Sequence, residues 1–490
     1  MWVRGLASLP ILSERMGHLR GPRPQPSCGP TGETPVPQVL SDRRRVGQAC
    51  GAARVGQRVG WRVGWRPKGA AAITCNMDEL GAYHHRRLDC GADFAAVELA
   101  GRRTVAFEIR VLAGLVDEPE DRLGLARVVE ETITKGTEQR DAQAMSDAFD
   151  AIGAQCGQSV GRESMVFSCS CLPEYAEQAL ALHAEMLRTP SFPEDFCQVA
   201  CDLGMQELAA LEDDPQELCR RLIGPHAYGQ RLGRHELGTR ETIGSITRED
   251  IAAFWRRCFS TSRMQVIVGG AVDVDRFAGR VDELFSGFGS GDGESRHKVA
   301  FSPGVHHQSK DLKQEQILMC WPGVGVTDDV YPVQRLLLSI LGSGMSSRLF
   351  TEVREKRGLV YWVGAWCEYP RDGGMIFLGA STMPERCDQT VAALLREVER
   401  LAEDVTAEEL ERAKVGIIAR TQTHGEMTRA KLRELGSDLF HFGRPISTAE
   451  KNERVAAVTV EDIGRYLSTH PRADRCVMTL GPRELDVGAG

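Results

Sequence analysis

Residues 124–137 read GLARVVEETITKGT, with Leu125, Val128, Val129, Thr132 and Ile133 at i, i+3, i+4, i+7 and i+8. That spacing lines one face of a helix with apolar or small side chains. Arg127, Glu130, Glu131 and Thr134 fall on or beside the other face, and Gly136 is placed to end the helix as its C-terminal cap. Upstream, residues 95–99 and 104–112 have the apolar, β-branched pattern of strands, joined through Gly101-Arg102-Arg103. Downstream the pattern predicts a helix over 142–152, an alternating strand over 164–171 (SMVFSCSC) and a helix over 174–187. A further helix is predicted over 239–259, capped at Thr247 with Asp250 at N3, followed by a strand over 264–268.

The second half repeats the first. ITREDIAAFW (246–255) matches VTVEDIGRYL (458–467) at an offset of about 212 residues, the mark of an internal duplication. Each copy runs on into a strand, MQVIVGG from 264 and CVMTLG from 476. Residues 314–321 and 330–341 mirror the central strand and the helix of the first half. The Gly- and Ser-rich segment 286–298 (SGFGSGDGESRHK) lies between the copies and reads as a linker. The expected fold is therefore α+β, with two homologous α/β half-domains, 77–285 and 299–490.

Residues 1–76 are Arg-, Gly- and Pro-rich, include the near-repeat VGQRVGWRVGWR and have no core-forming periodicity. Three readings stay open for them: translated upstream sequence with a true start at Met77, a disordered basic arm, or an organelle transit peptide. They carry roughly +9 of charge, so the overall −8 leaves about −17 on the rest. A body that acidic does not fit nucleic-acid binding. No apolar run reaches membrane-spanning length, and no sustained apolar stretch marks a secretory signal. The expected compartment is the cytoplasm, or the mitochondrion if 1–76 is a transit peptide. The fifteen cysteines form no C-x-x-C pair, although Cys169 and Cys171 share a strand face and Cys197 and Cys201 a helix face. They read as small buried hydrophobes. The twelve histidines form no H-x-x-x-H or H-x-x-E-H, and no phosphate-binding loop or G-x-S-x-G appears.

Two residues four apart on a helix can hold one object between them. Inverted zinc peptidases use that spacing in H-x-x-E-H, two imidazoles for the metal and a Glu as general base. Residues 124–137 resemble this motif as it stands in the pitrilysin (insulinase-like) family, GLAH-x-x-EH-x-x-x-x-GT, a family that includes subunits like those of the mitochondrial processing peptidase. Arg127 and Glu131 stand where the two His ligands would be, and Glu130 stands at the general-base position. The third ligand of the family, a Glu on a later helix, corresponds to Glu207 in MQELAALEDDP. In the second half, SSRLF (346–350) and VREKRGLVY (353–361) resemble the signature SSRLF-x-x-x-REK-x-GL-x-Y. The resemblance makes Arg354 and Tyr361 substrate-backbone contacts that also steady an oxyanion, a role suited to two hydrogen-bond donors. The family pairs extended peptide with the edge strand near 154–170. Here Gly157-Gln158 stands where relatives often have Asn-Ala.

The resemblance implies two half-domains per chain and a clamshell of two chains. For this chain it implies a member with no metal of its own at Arg127, Glu131 and Glu207, Glu130 being a relic. The guanidinium of Arg127 is expected to fill the metal space against Glu131 or Glu207. The expected role is a non-catalytic subunit that completes the peptide cavity of a homologous H-x-x-E-H chain, which carries the zinc, and contributes Arg354 and Tyr361. Two alternatives stand beside it: a structural or peptide-binding protein without proteolytic role, and an autonomous metallopeptidase with atypical ligands.

Overall fold

The computed structural model describes residues 73–78, 81–289 and 296–485; residues 1–72 and the centre of the linker lie outside the described residues, and with them nearly all of the Arg-rich segment. Twelve strands form two sheets: β1 (Ile73–Asp78), β2 (Gly81–Arg87), β3 (Asp93–Glu98), β4 (Val105–Val111), β5 (Gln155–Val160), β6 (Met165–Cys171) and β7 (Met264–Gly270) in the first, and β8 (Gly304–Ser309), β9 (Glu315–Gly323), β10 (Val360–Glu368), β11 (Gly374–Thr382) and β12 (Cys476–Gly481) in the second. The first half carries helices α1 (Leu125–Thr132), α2 (Ala142–Asp150), α3 (Ala176–Arg188), α4 (Glu194–Leu211), α5 (Pro215–Leu232), α6 (Arg240–Gly244), α7 (Arg248–Cys258) and α8 (Val274–Phe285). The second carries α9 (Tyr331–Gly342), α10 (Cys387–Asp404), α11 (Ala407–Gly425), α12 (Thr428–Phe442), α13 (Thr448–Ala456) and α14 (Val460–Thr469). Among the described residues no helix is long and apolar enough to cross a membrane.

The duplication is visible in the topology. The sheets run β1-β2-β3-β7-β4-β6-β5 and β8-β12-β9-β11-β10, so five strands of the first correspond one for one to the whole of the second. Each has a single parallel pair, β3 with β7 and β8 with β12, among antiparallel neighbours. The matched helices α7 and α14 begin identically. Thr247 and Thr459 accept from the N3 amides of Asp250 and Asp462, and each Asp side chain accepts from its cap backbone, closing a capping box. The expected single helix over 239–259 is two helices, because Thr239 caps α6 and Thr247 restarts the chain as α7. The first sheet also begins earlier than the hydrophobic pattern shows. His84 and His85 lie in β2, where His85 Nε2 is 2.9 Å from Asp93 Oδ1.

One face of each sheet packs on helices of its own half. Phe107, Ile109, Val129, Ile133, Leu180 and Phe254 are among the residues filling the first core, and Ile317, Met319, Leu336, Leu394 and Ile463 the second. The other face is covered by a helix from the opposite half. Leu432, Leu435 and Leu439 of α12 lie on Tyr83, Ala95, Val97, Ala106 and Ile267 of the first sheet. Leu218, Ile223, Ala227 and Tyr228 of α5 lie on Leu318, Phe377, Met478 and Leu480 of the second. The exchanged helices are themselves related by the repeat, and their approach is close. A Cβ on Gly269 would sit 2.6 Å from Leu432 Cδ1. With both faces covered, β7, β11 and β12 are buried along their whole length and are almost continuously apolar or small.

Polar contacts fasten the exchange. Glu368 at the end of β10 accepts from Tyr228 Oη at 2.7 Å and pairs with Arg162 of the β5–β6 turn at 3.0 Å and with Arg220 of α5 at 3.6 Å. Burial works against its charge, but Arg162, Tyr228 and Arg220 outweigh it and hold the carboxyl below the ordinary range. On the other side Gln265 Nε2 donates to Leu439 O at 3.2 Å, and Arg110 donates to Gly436 O.

Because each half supplies part of the other's core, both should unfold together. Leu435→Ala is expected to cost about 2–5 kcal/mol. Denaturant unfolding should remain one transition whether followed by the tryptophans of the second sheet or by far-ultraviolet dichroism; two separated transitions would show that the exchange does not couple the halves.

Candidate functional site

The entry to α1 is built around Glu118. Its Oε1 accepts from the amides of Gly124 at 3.1 Å and Ala126 at 2.9 Å, satisfying two of the unpaired donors at the helix start. The residue is 1% exposed, and Oε2 has no hydrogen-bond partner. Burial raises its pKa to about 8 despite the two amides. Arg234 braces the same loop by donating to the carbonyls of Glu118 at 2.7 Å and Leu115 at 3.2 Å.

From that entry α1 turns Leu125, Val128 and Val129 into the core, as the spacing requires. Thr132 joins this row because its hydroxyl donates to Val128 O at 2.7 Å, so no polar atom is left unpaired. The helix stops earlier than the sequence predicts: Ile133, in ordinary right-handed conformation, is its C-terminal cap, and Gly136 (φ 110) follows three residues later, bridged to Asp141 rather than ending the helix. On the other face Arg127 reaches three carboxylates. It pairs with Glu130, lies 3.4 Å from Glu131 Oε1 and 3.3 Å from Glu207 Oε1 on α4. The sequence points to Glu131 or Glu207 as its partner; the structure adds Glu130. Glu130 is 5% exposed. Burial first, then Glu131 and Glu236, push its pKa up, against the pull of Arg127.

The two positions four apart thus face Glu207 across the gap between α1 and α4, as a helical metal motif would. The side chains present do not fit zinc. A guanidinium has no lone pair to give and keeps its charge, structural and catalytic zinc sites take imidazole or thiolate beside any carboxylate, and the carboxylates do not form a set of donor atoms close enough to share one ion. The arrangement is a salt-bridge cluster.

Arg354 and Tyr361 come together elsewhere. Leu349 and Val353 anchor a π-helical turn, Leu349–Lys356, in the second core. Gly358 then leads into β10, an edge strand. The Arg354 guanidinium lies 5.7 Å from the centre of the Tyr361 ring and 4.8 Å from that of Phe350, with Glu355 Oε1 at 3.8 Å. Tyr361 is 76% exposed. Among the described residues no hydrogen bond, ion pair or ring contact joins this pair to the Arg127 cluster. Gly157 and Gln158 lie on β5, the edge of the first sheet.

Two residues that matter to these sites are given no role by the sequence reading. Glu118 precedes its helix by several residues and is not a cap type. Arg348, inside the SSRLF stretch, is buried and held by Asp404 Oδ1 at 2.6 Å and by both oxygens of Glu409 at 2.7 and 2.8 Å. It positions the turn that carries Arg354.

Residues 94–240 match the family model described as Insulinase (Peptidase family M16), and residues 245–416 the model described as Peptidase M16 inactive domain. The chain belongs to the insulinase-like peptidase family M16. It is 29% identical over 385 residues to an uncharacterized zinc protease of Rickettsia bellii, covering 78% of this chain and 93% of that protein. It is 27% identical over 395 residues to an uncharacterized zinc protease of Streptomyces coelicolor, covering 78% and 86%. The same two-half fold is seen in the crystal structure of a peptidase M16 inactive domain from Pseudomonas fluorescens (TM-score 0.75, 21% identity, 82% of this chain and 98% of that one). It is seen again in a protease from Helicobacter pylori (TM-score 0.75, 16% identity, 82% and 100%).

Two outcomes follow from the geometry around α1. Arg127→His combined with Glu131→His should let α1 and Glu207 take up zinc, so elemental analysis should find about one more equivalent than in the parent chain, as three protein ligands supply. No gain would mean that the backbone between α1 and α4 has drifted from ligating geometry. Glu118 has a folded pKa of about 8 against an ordinary 4.5. Its contribution to stability is therefore fully present below the lower value and is lost as pH rises through the upper one. Glu118→Gln keeps an acceptor for the two amides and cannot ionise. It should melt near the parent temperature at acid pH and above it at alkaline pH; a constant difference would place the titration elsewhere.

Proposed function

We propose that this chain is a non-catalytic subunit of an M16 peptidase assembly. It would complete the peptide cavity of a homologous chain that bears H-x-x-E-H and holds the zinc. The observation that carries this reading is the Arg127 guanidinium bound by Glu130, Glu131 and Glu207, in the position where the motif would require two imidazoles. Glu130, the general-base position, is buried against that guanidinium and has no metal-activated water to deprotonate.

The second half supports a role in substrate contact. Arg354 and Tyr361 stand together on an exposed edge, presented by a turn whose anchor, Arg348, is fixed by two carboxylates. A guanidinium and a phenol there can donate to a peptide carbonyl. They can also strengthen those bonds as negative charge develops on the oxygen, provided the partner brings the scissile bond to them. The substrate in this reading is an extended or unfolded peptide.

The test is reconstitution with an H-x-x-E-H homologue from the same cell. The mixture should cleave peptides that this chain alone does not, and the two should co-elute as one species. Arg354→Ala should leave the assembly intact while lowering its kcat/KM by roughly 10²–10³-fold, the range seen on loss of an oxyanion donor. Unchanged kinetics would remove the substrate role and favour a purely structural subunit; cleavage by this chain alone would overturn the reading.

A further inference from the structure

Cys156 on β5 stands directly opposite Cys169 on β6, and their sulfurs are 3.9 Å apart. His183, from the middle of α3, reaches the same place. The two sulfurs and an imidazole nitrogen all lie within 4.8 Å of one another. Cys169 and His183 are each 1% exposed, whereas Cys156 is on the open side of the edge strand.

The imidazole is already oriented. Nδ1 lies 2.8 Å from Ala179 O. A carbonyl only accepts, so Nδ1 carries a proton, which leaves Nε2 as the ring's ligating nitrogen. The rings of Phe107 and Phe149 hold it edge-on, with centroids at 5.1 and 5.0 Å. A carbonyl on the remote nitrogen is the usual way a metal-binding histidine is fixed in place.

We propose that Cys156, Cys169 and His183 bind a thiophilic divalent cation of the zinc type. Two thiolates and an imidazole are the donor set such an ion prefers. With Zn–S bonds of about 2.3 Å, tetrahedral geometry puts two ligand sulfurs about 3.8 Å apart, which the pair matches without strand movement. Binding releases two thiol protons, and the two thiolates balance the ion's charge. A water on the exposed side of Cys156 fills the fourth position. The neighbouring Arg429 does not compete. It bonds Ser170 Oγ and Gln155 O, and Ser170 alternates with the cysteines along β6 and faces the other side of the sheet. The ion would tie the edge strand β5 to β6 and to α3. The sequence shows only the same-face pair Cys169-x-Cys171 and reads the cysteines as small buried hydrophobes; Cys156 and His183 come to the pair through strand pairing and helix packing, which no sequence motif marks.

The full chain, purified under reductant and stripped with chelator, should bind one cobalt(II) with thiolate-to-cobalt charge-transfer absorption that zinc abolishes, and zinc should raise its melting temperature. Cys156→Ser, at an exposed position, should weaken zinc binding by more than the roughly 10–100-fold that loss of a second-shell partner costs. In the unmodified chain zinc should protect Cys156 from alkylation. Absence of the charge-transfer band, the same zinc affinity in Cys156→Ser, or alkylation at an unchanged rate with zinc present would each overturn the site. None of these readouts touches Arg127, whose test is a difference from the parent chain.

Discussion

Each sheet in this protein has two apolar faces, and the half-domain that builds it can cover only one. The reciprocal loan of α5 and α12 closes the account. Leu218, Ile223 and Tyr228 leave the first half to cover Leu318, Phe377 and Met478, while Leu432, Leu435 and Leu439 return to cover Val97 and Ile267. Bare apolar surface costs roughly 25 cal/mol per Å², so an uncovered sheet face works directly against the small net stability of a domain. The constraint reaches the functional residues. Arg162 precedes β6, Arg220 and Tyr228 lie on α5, and all three converge on Glu368 at the end of β10, the strand that carries Tyr361. The geometry of the Arg354–Tyr361 edge therefore depends on the first half being folded.

The same economy governs the cluster on α1. Three carboxylates near one another repel, and one is nearly buried. A guanidinium among them supplies the compensating charge and donors in a planar fork. Removing Arg127 alone would leave Glu130 buried and uncompensated, the situation in which breaking a buried pair is most destabilising. Replacing Glu131 together with Arg127 removes one repelling group along with the compensating one. The residues at 127 and 131 are thus physically linked: an imidazole placed at 127 alone would take the compensating guanidinium from Glu130 while leaving Glu131 beside it.

What was legible in the sequence follows from how local each signal is. The apolar face of helix α1 and the cap at Thr247 rest on contacts within a turn, and the spacing alone places them, although α1 stops at Thr132, short of Gly136. The duplication shows because two copies of one capping box and strand remain alike. The exchange of α5 and α12 does not show, because the amphipathic pattern of a helix says that one face is buried but not against which sheet. Pro225 and Gly229 further interrupt the pattern of α5. The partners of Arg127 were partly legible: Glu131 follows from the i,i+4 geometry of the helix and Glu207 was placed by resemblance, whereas Glu130, at i+3, is added by the structure. Glu118, which holds the start of α1 from outside the helix, belongs to no cap pattern.

The duplication finally explains why two unlike chemistries occupy comparable places. Strand β5 in the first sheet corresponds to β10 in the second, and each is the outer strand of its half. An outer strand leaves one row of amides and carbonyls unpaired and open to another chain. In the second half that edge carries Tyr361 beside Arg354, groups able to hold a peptide by its backbone. In the first, the corresponding edge carries Cys156, whose partners Cys169 and His183 are buried behind it. An ion held there would stiffen the edge without covering its free backbone. The two edges have diverged in side-chain chemistry while keeping the one property that the shared topology imposes, an open strand at the rim of each sheet.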